Sequence, residues 1–208
     1  GFRLPKYPDY YSRKVNYVYT RSGGKAMVEL ASQRPLSHIG MAFLYRNGHN
    51  PRDIEPLLLS LSMAEPGKAG KKGVLYRFVV DLRRPKVIPF LREIFALPVC
   101  FVGHNLKNDF FCLWKLNLEP PRNIWDSFIC EEALDLGLYH WKYTVNRGME
   151  LPREIRAKEE IKERQAVQHS LESISQRHGI PCGGNQPKAF LNRLFKQDKW
   201  RPLTQEEV

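Results

Sequence analysis

From residue 99 to residue 116 the chain reads Val-Cys-Phe-Val-Gly-His-Asn-Leu-Lys-Asn-Asp-Phe-Phe-Cys-Leu-Trp-Lys-Leu, a short apolar run followed by a helical pattern. The apolar run at 99–102 is typical of a strand that is buried on both faces of a sheet. After it, apolar residues recur at helical spacing over 105–116, and Asn105 is a good residue to cap that helix. Asp109 lies one turn into the helix, which places its side chain near the end of the preceding strand, at the edge where open α/β sheets bind ligands.

The segments on either side of this unit predict an α/β fold. Before it, the pattern predicts a short strand at 16–20, a helix from residue 22 to before Pro35, three strands joined as an antiparallel meander at 36–46, 54–64 and 74–82, and a helix at 87–97. After it, the pattern predicts a short strand at 124–125, a helix from 127 to about 137, a helix of alternating charges at 153–164, and helices at 165–178 and 187–196. A meander followed by alternating strands and helices indicates a mixed sheet, with parallel strands beside the meander and helices flanking it.

The composition favours a globular protein with a polyanionic partner. The 208 residues include 33 Lys and Arg against 22 Asp and Glu, a formal net charge of +11, and 42% are hydrophobic, too many for a disordered polycation. The longest apolar runs are far shorter than the roughly 20 residues that span a bilayer, so no membrane association is predicted. Four cysteines without zinc-ligand spacing are typical of reduced core residues, which predicts an intracellular location, cytoplasmic, nucleoid or nuclear. Trp114, Trp125 and Trp141 are also expected in the core.

Four segments, in order along the chain, resemble motifs of the DEDD superfamily of 3′ to 5′ exonucleases, which includes ribonuclease D and the proofreading domain of DNA polymerase I. The second motif of that family, Gly-His-Asn, three residues and then Asp, is matched at 103–109 by Gly-His-Asn-Leu-Lys-Asn-Asp. The Trp-Asp-Ser at 125–127, the helix at 169–179 and the segment at 200–207 resemble further family elements, the last of which leads into the third motif. The resemblance covers residues 16–208 and implies a ribonuclease H-like fold.

The same resemblance implies a chemistry and a set of site residues. Family members hydrolyse phosphodiesters with two divalent cations, Mg²⁺ or Mn²⁺, about 3.5 to 4 Å apart, and carboxylate oxygens hold both ions. On this resemblance Asp109 is the catalytic metal ligand, and His104, Asn105 and Phe110 contact the substrate, single-stranded DNA or RNA. Asp126 either caps the helix that starts at 127 or supports the site indirectly.

Other acids of the family pattern are not found in this sequence. The family's first strand carries Asp-x-Glu, and alignment with the strand predicted at 36–46 places Gly40 and Ala42 at those positions. An alternative alignment puts the first strand earlier and uses Glu29 as one surviving acid, but Glu29 falls in a predicted helix. The third motif, Tyr-x-x-x-Asp, would begin about where the sequence ends, at Val208. With Asp109 as the only matched ligand, we expect little or no nuclease activity.

These observations predict an extended basic arm at 1–15 and an exonuclease-like domain at 16–208 that lacks the final motif-bearing helix. Two functions remain in competition: an exonuclease domain of a longer chain, which would also carry a polymerase or helicase, and a catalytically degenerate module that binds nucleic acid. A third possibility is a protein-interaction domain in which the charge only promotes solubility. The positive clusters, in the first 35 residues and at 68–86 and 188–201, are expected to flank the sheet edge that carries Asp109, as a groove for a single strand.

Overall fold

The structure, a computed structural model, describes residues 10–48, 50–68, 71–134, 139–144, 161–166, 170–180 and residue 203. Its strands and helices are, in chain order, β1 (Tyr10–Val18), α1 (Arg21–Gln33), β2 (His38–Arg46), β3 (Glu55–Glu65), β4 (Gly73–Asp81), α2 (Ile88–Phe95), β5 (Cys100–Gly103), α3 (Lys107–Lys115), β6 (Ile124–Asp126), α4 (Ser127–Leu134), β7 (Tyr139–Thr144), β8 (Ile161–Ala166) and α5 (Leu171–Arg177). The chain forms two compact units, one within Gly1–Ser127 and Gly183–Val208 and the other within Phe128–Cys182, and the exonuclease-like domain over 16–208 stays a prediction.

The first unit contains a six-stranded mixed sheet with the strand order β1-β4-β3-β2-β5-β6. β2, β3 and β4 form an antiparallel meander, while β5 runs parallel to β2 and β6 runs parallel to β5. This confirms the predicted meander with parallel strands beside it. β1 lies at the outer edge and runs parallel to β4, with Tyr10 opposite Gly73. The sequence pattern predicted a strand in this region but not its partner, because the two strands are far apart along the chain.

One apolar core joins the inner face of this sheet to α1, α2 and α3. Each of these helices contributes a buried apolar stripe, and β2 contributes every second residue; the members include Met27, Ala31, Ile39, Met41, Phe43, Leu61, Met63, Leu91, Ile94, Phe101, Cys112 and Leu113. α1 begins at a capping residue, since Thr20 Oγ accepts a hydrogen bond from the N–H of Gly23 at 3.1 Å, and it ends before Pro35 as predicted. The alternation along β2 turns Gly40 and Ala42 toward the opposite face of the sheet.

The second unit contains the antiparallel pair of β7 and β8, together with α5 and most of α4. Glu131 of α4 bonds to Arg177 at 3.0 Å and to His178 at 3.1 Å, both at the end of α5. These contacts hold α4 and α5 together.

Several predicted elements differ from the observed ones. Residues 10–15, predicted as part of an extended arm, form the first part of β1, where β4 supplies backbone partners. Residues 161–164, predicted as the end of a charged helix, lie in β8, where pairing with β7 overrides the helical charge pattern. The helix predicted at 165–178 begins at Leu171, and the one predicted at 187–196 lies outside the described residues. None of the helices in the described ranges is long and apolar enough to cross a membrane.

Candidate functional site

Asp109 lies in the first turn of α3, and its carboxylate is turned toward β2. The residue is buried, with 8% of its surface exposed, and Oδ1 accepts a hydrogen bond from the backbone N–H of Phe43 at 2.8 Å. The register between β5 and β2 ends at Gly40, so the backbone of β2 beyond that point needs another partner on this edge. Asp109 supplies that partner for Phe43, and its carboxylate therefore lies at the sheet edge beyond the end of β5.

We expect Asp109→Ala to destabilise the protein by about 1–3 kcal/mol, because the buried N–H of Phe43 would lose its acceptor. Asp109→Asn is the matched control, since its amide keeps an oxygen at the same place, and we expect a loss below about 1 kcal/mol. Urea unfolding of the three proteins measures both differences. An equal loss for Asn and Ala would show that the hydrogen bond to Phe43 is not the reason that Asp109 stabilises the fold.

The positions aligned with the first motif lie on β2, the strand whose Phe43 bonds to this carboxylate. Gly40 and Ala42 are two residues apart on one strand, so a side chain at either position would face the same side of the sheet. Ala42 is exposed and directly precedes Phe43, the residue that bonds to Asp109. Of the three positions that the sequence alignment predicted, only Asp109 carries a carboxylate, and its bond to Phe43 is its contact with this strand.

The alternative alignment through Glu29 does not agree with the structure. Glu29 lies within α1, its side chain is 56% exposed, and its carboxylate is 3.9 Å from the ammonium group of Lys25, one turn earlier in the helix. Residues 21–33 are helical and cannot form the first strand of the family pattern. β2 is the strand that lies beside Asp109.

The described residues around Asp109 do not fit a pair of divalent cations. Such a pair requires several carboxylates, whereas Gly40 and Ala42 supply none and Asp109 Oδ1 already accepts an amide proton. Within the described part of the chain, no cluster of three or more His, Cys, Asp or Glu side chains is arranged to hold a metal ion. Among the positions aligned with the first and second motifs, Asp109 is therefore the one carboxylate that the described residues supply.

His104 is held at the end of β5 by the first residue of α4. The hydroxyl of Ser127 donates to the carbonyl of Gly103 at 3.1 Å, and His104 Nδ1 lies 3.0 Å from the same hydroxyl oxygen. The Ser127 hydroxyl thus contacts both the carbonyl of Gly103 and the ring of His104. The contact of His104 with substrate, which the resemblance implies, stays a prediction.

Asp126 supports the turn that precedes α3. Its two carboxylate oxygens accept hydrogen bonds from the N–H groups of Asn105 and Leu106, each at 2.8 Å. These bonds hold the turn before α3; the two predicted roles of Asp126, a cap of the helix that starts at Ser127 or indirect support of the site, stay predictions. Asn105 is not the helix cap that was predicted: it has φ of 56° and precedes the helix, which begins at Lys107. Asn enters this left-handed region more readily than most residues, so Asn105 forms the turn.

Aromatic side chains near Asp109 are more exposed than the sequence predicted. Phe110, the predicted substrate contact, is 36% exposed on α3, and Trp114 follows one turn later with 64% exposed. Trp125 on β6 is 56% exposed, so the prediction that Trp114 and Trp125 belong to the core is wrong. Trp141 lies in β7, and its side chain is outside the description. Exposed rings of this kind can stack on unpaired bases.

A buried charged network on the sheet was missed by the sequence analysis. Asp81 at the end of β4 is fully buried, and both of its carboxylate oxygens accept hydrogen bonds from the Arg83 guanidinium at 2.7 Å. Tyr17 of β1 donates to Asp81 Oδ2 at 2.6 Å, and burial together with this bond raises the pKa of Tyr17 to about 12. The sequence shows only that Asp81 ends an apolar strand and precedes two arginines. This pattern does not predict the contact with Tyr17, which lies 64 positions earlier.

The Tyr17 hydroxyl also holds a late segment of the chain. It accepts a hydrogen bond from the N–H of Leu203 at 3.1 Å, and the Leu203 side chain is buried against Leu58, with Leu44 packed against the same cluster. Leu44 lies two residues after Ala42 on β2 and shares its face of the sheet. Leu203 belongs to the segment at 200–207 that resembles the approach to the third motif, and it docks on the face that carries the degenerate first-motif positions.

The positive clusters do not all flank Asp109 as predicted. Asp109 bonds to Phe43, which pairs with Leu59 of β3, and the strand then continues six residues to Glu65, about 20 Å at 3.4 Å per residue. Lys68, Lys71 and Lys72 follow that far end of β3, so the prediction is wrong for them. The cluster at 188–201 lies outside the described residues.

Comparison with known proteins identifies the fold. No protein-family model and no curated protein matches the sequence. Ribonuclease D of Trypanosoma brucei resembles the chain with a TM-score of 0.55 and 14% identity, and the match covers 93% of this chain and 57% of that chain. Ribonuclease D of Escherichia coli, an exoribonuclease involved in structured RNA processing, gives a TM-score of 0.52 and 14% identity, over 94% of this chain and 40% of that chain. This chain spans less than two thirds of the length of either. It has the ribonuclease H-like α/β fold of the ribonuclease D structures, as the sequence motifs implied.

Proposed function

We propose that this chain is a 3′ to 5′ exonuclease-like domain that binds single-stranded nucleic acid and hydrolyses it weakly or not at all. The observation that carries the proposal is the surroundings of Asp109. The one matched acid accepts a backbone hydrogen bond, and the two first-motif positions beside it are Gly40 and Ala42. RNA is the first substrate class to test, because the similar Escherichia coli protein is an exoribonuclease.

The missing acids change the electrostatics of the site as well as its chemistry. In a two-metal exonuclease, carboxylates would repel the phosphate backbone unless cations neutralise them. Here two of those carboxylates are absent from β2, and the chain carries a net charge of +11. The site therefore repels a phosphate backbone less than a site with all its carboxylates would, and the exposed ring of Phe110 offers a surface for a base.

Two finer expectations belong to this proposal. The domain acts within a longer chain that also carries a polymerase or helicase, and it works inside the cell. The cysteines support the second expectation: Cys100, Cys112 and Cys130 are free thiols in the structure. Burial, and then the nearby charge of Asp109, raise the pKa of Cys112 to about 12, which keeps this thiol protonated and unreactive.

We expect the protein to bind a labelled single-stranded RNA with the same affinity, within about twofold, in Mg²⁺ and in EDTA, and not to shorten it. Fluorescence anisotropy measures binding, and gel electrophoresis after incubation with Mg²⁺ or Mn²⁺ measures hydrolysis of both RNA and DNA. Asp109→Asn is the control, because it keeps an acceptor for Phe43 and removes the charge. Shortening from the 3′ end that disappears in this variant would show an active exonuclease and sink the proposal.

Salt dependence separates this function from a protein-interaction role. Contacts with several phosphates make the affinity fall steeply as the salt concentration rises. For a single strand, the logarithm of the binding constant falls by about 0.7 per phosphate contact for each unit of the logarithm of salt concentration. We expect the affinity for RNA to fall at least about tenfold between 50 and 200 mM KCl. Binding that does not change with salt would instead favour a protein-interaction domain.

A further inference from the structure

We infer that the chain has a second nucleic-acid contact at the end of the sheet remote from Asp109, on a surface formed by Arg13, Arg34, Lys68, Lys71 and Lys72. This surface is called the basic end. The inference rests on the proposed function for the class of ligand, a polynucleotide, and assigns a separate place where that ligand is held. All five side chains belong to exposed residues.

The strand register brings these residues together. Glu65, at the end of β3, pairs with Val74 of β4, and the lysines occupy the connection between those two strands. On the other side of β4, Val74 pairs with Tyr11 of β1, two residues before Arg13. The lysine turn and the first half of β1 therefore lie next to each other at one end of the sheet.

Two arginines of the basic end are positioned by one buried ring. The Cζ atom of Arg13 lies 5.2 Å from the centre of the Tyr76 ring, and that of Arg34 lies 5.9 Å from it, so both guanidinium groups make cation–π contacts. Tyr76 itself is 3% exposed, and its hydroxyl donates to Glu65 at 2.9 Å. A guanidinium that is already ordered loses less entropy when it binds a phosphate.

The lysines lie on a compact turn. The N–H of Lys71 donates to the carbonyl of Lys68 at 2.8 Å. At Gly67 the backbone passes so close to the Lys71 carbonyl that a Cβ atom would collide with it, which explains a glycine at this place. Three lysine side chains are thereby presented on a short connection beside Arg13 and Arg34.

The charge of this surface suits a phosphate backbone. Glu65 lies beside these cations, but its carboxylate is engaged by the Tyr76 hydroxyl and lies 3.9 Å from Arg34. The separation of about 20 Å from Asp109 corresponds to about six nucleotides of a stacked strand at 3.4 Å each. A strand with its end near Asp109 would therefore reach the basic end only if it is longer than about six nucleotides.

The test compares two triple variants of the full chain. Lys68→Gln, Lys71→Gln and Lys72→Gln together neutralise the turn, and Lys86→Gln, Arg92→Gln and Arg122→Gln neutralise three exposed cations elsewhere on the first unit. The probe is a labelled 15-nucleotide oligouridylate, and anisotropy is measured from 50 to 300 mM KCl. We expect the lysine variant to bind at least about tenfold more weakly than the wild type at 100 mM KCl, and the slope of its log affinity against log salt concentration to be smaller by about 2. The second variant should bind within about threefold of the wild type.

Each other outcome overturns the inference in a different way. An equal loss of RNA affinity in both triple variants would contradict the inference about the basic end but not the proposed function. If the wild type binds no RNA, both are wrong. A third arm adds poly-L-glutamate as a competitor. If it displaces the RNA as effectively as unlabelled polyuridylate at equal charge, the surface belongs to an acidic protein partner and the inference fails.

Discussion

Replacing Asp81 by Ala is expected to lower the free energy of unfolding by about 3–5 kcal/mol, the range measured when one partner of a buried ion pair is removed. The Arg83 side chain is 6% exposed and would keep its charge without the carboxylate that accepts two of its hydrogen bonds. The Tyr17 hydroxyl would lose the acceptor that lies 2.6 Å away. Urea unfolding and thermal melting both measure the loss, and the melting temperature should fall by roughly 10 °C.

A double substitution tests the cause of this loss. Asp81→Leu combined with Arg83→Leu removes both charges, so neither is left buried without its partner, and we expect it to be more stable than Asp81→Ala by at least about 1 kcal/mol. Tyr17→Phe is the milder control, because it removes one hydrogen bond and keeps the ion pair. If the double variant is no more stable than Asp81→Ala, the uncompensated charge of Arg83 is not the source of the effect.

The second large effect concerns metal binding. Gly40→Asp combined with Ala42→Glu is expected to bind Mn²⁺ at least about tenfold more tightly than the wild type, because it restores two carboxylates on the strand that Asp109 bonds to. The fold has room for this change: a Cβ atom on Gly40 would lie 3.6 Å from that of Ser62, an ordinary contact, and Ala42 is exposed. The electron paramagnetic resonance signal of free Mn²⁺ measures the binding.

The control for this gain adds Asp109→Asn to the double variant. If Asp109 is the third ligand, its neutralisation should return the Mn²⁺ affinity most of the way to that of the wild type, although the amide still accepts the N–H of Phe43. A gain that is unchanged in the triple variant would mean that the metal binds to the new carboxylates alone. In that case β2 would not be the first-motif strand that faces Asp109.

The parts of the fold that follow from the sequence are those with a local signal. The meander and the β5–α3 unit were predicted because their apolar residues alternate or recur at helical spacing within a few turns. Asp109 was found through the same short spacing, which places it one turn into a helix after a buried strand. The rest depends on partners that are remote in sequence. The spacing around Asp81 does not point to Tyr17, and only the pairing with β7 makes residues 161–164 a strand.

In the candidate site too, some features follow from local sequence and others depend on residues that are remote in the chain. Nothing in the local pattern separates the lysine turn from Asp109, because charge clusters are identified along the chain, whereas their distance in space is set by the length of β3. Asn105 was predicted as a cap from its residue type, and it forms a left-handed turn because Asp126, 21 residues later, takes its N–H. The exposure of Trp114 could not be predicted from the helical pattern either, because the spacing of apolar residues does not show which faces of α3 other elements cover.

The hydrogen bond between Leu203 and Tyr17 joins positions 186 residues apart, across the whole inserted unit. During synthesis at about 5–20 residues per second, β1 would therefore wait roughly 10 to 40 s for the segment that completes its surroundings. Until then, the apolar cluster of Leu57 and Leu58 lacks its cover. The nascent chain therefore exposes part of this apolar sheet face until residue 203 has been synthesised.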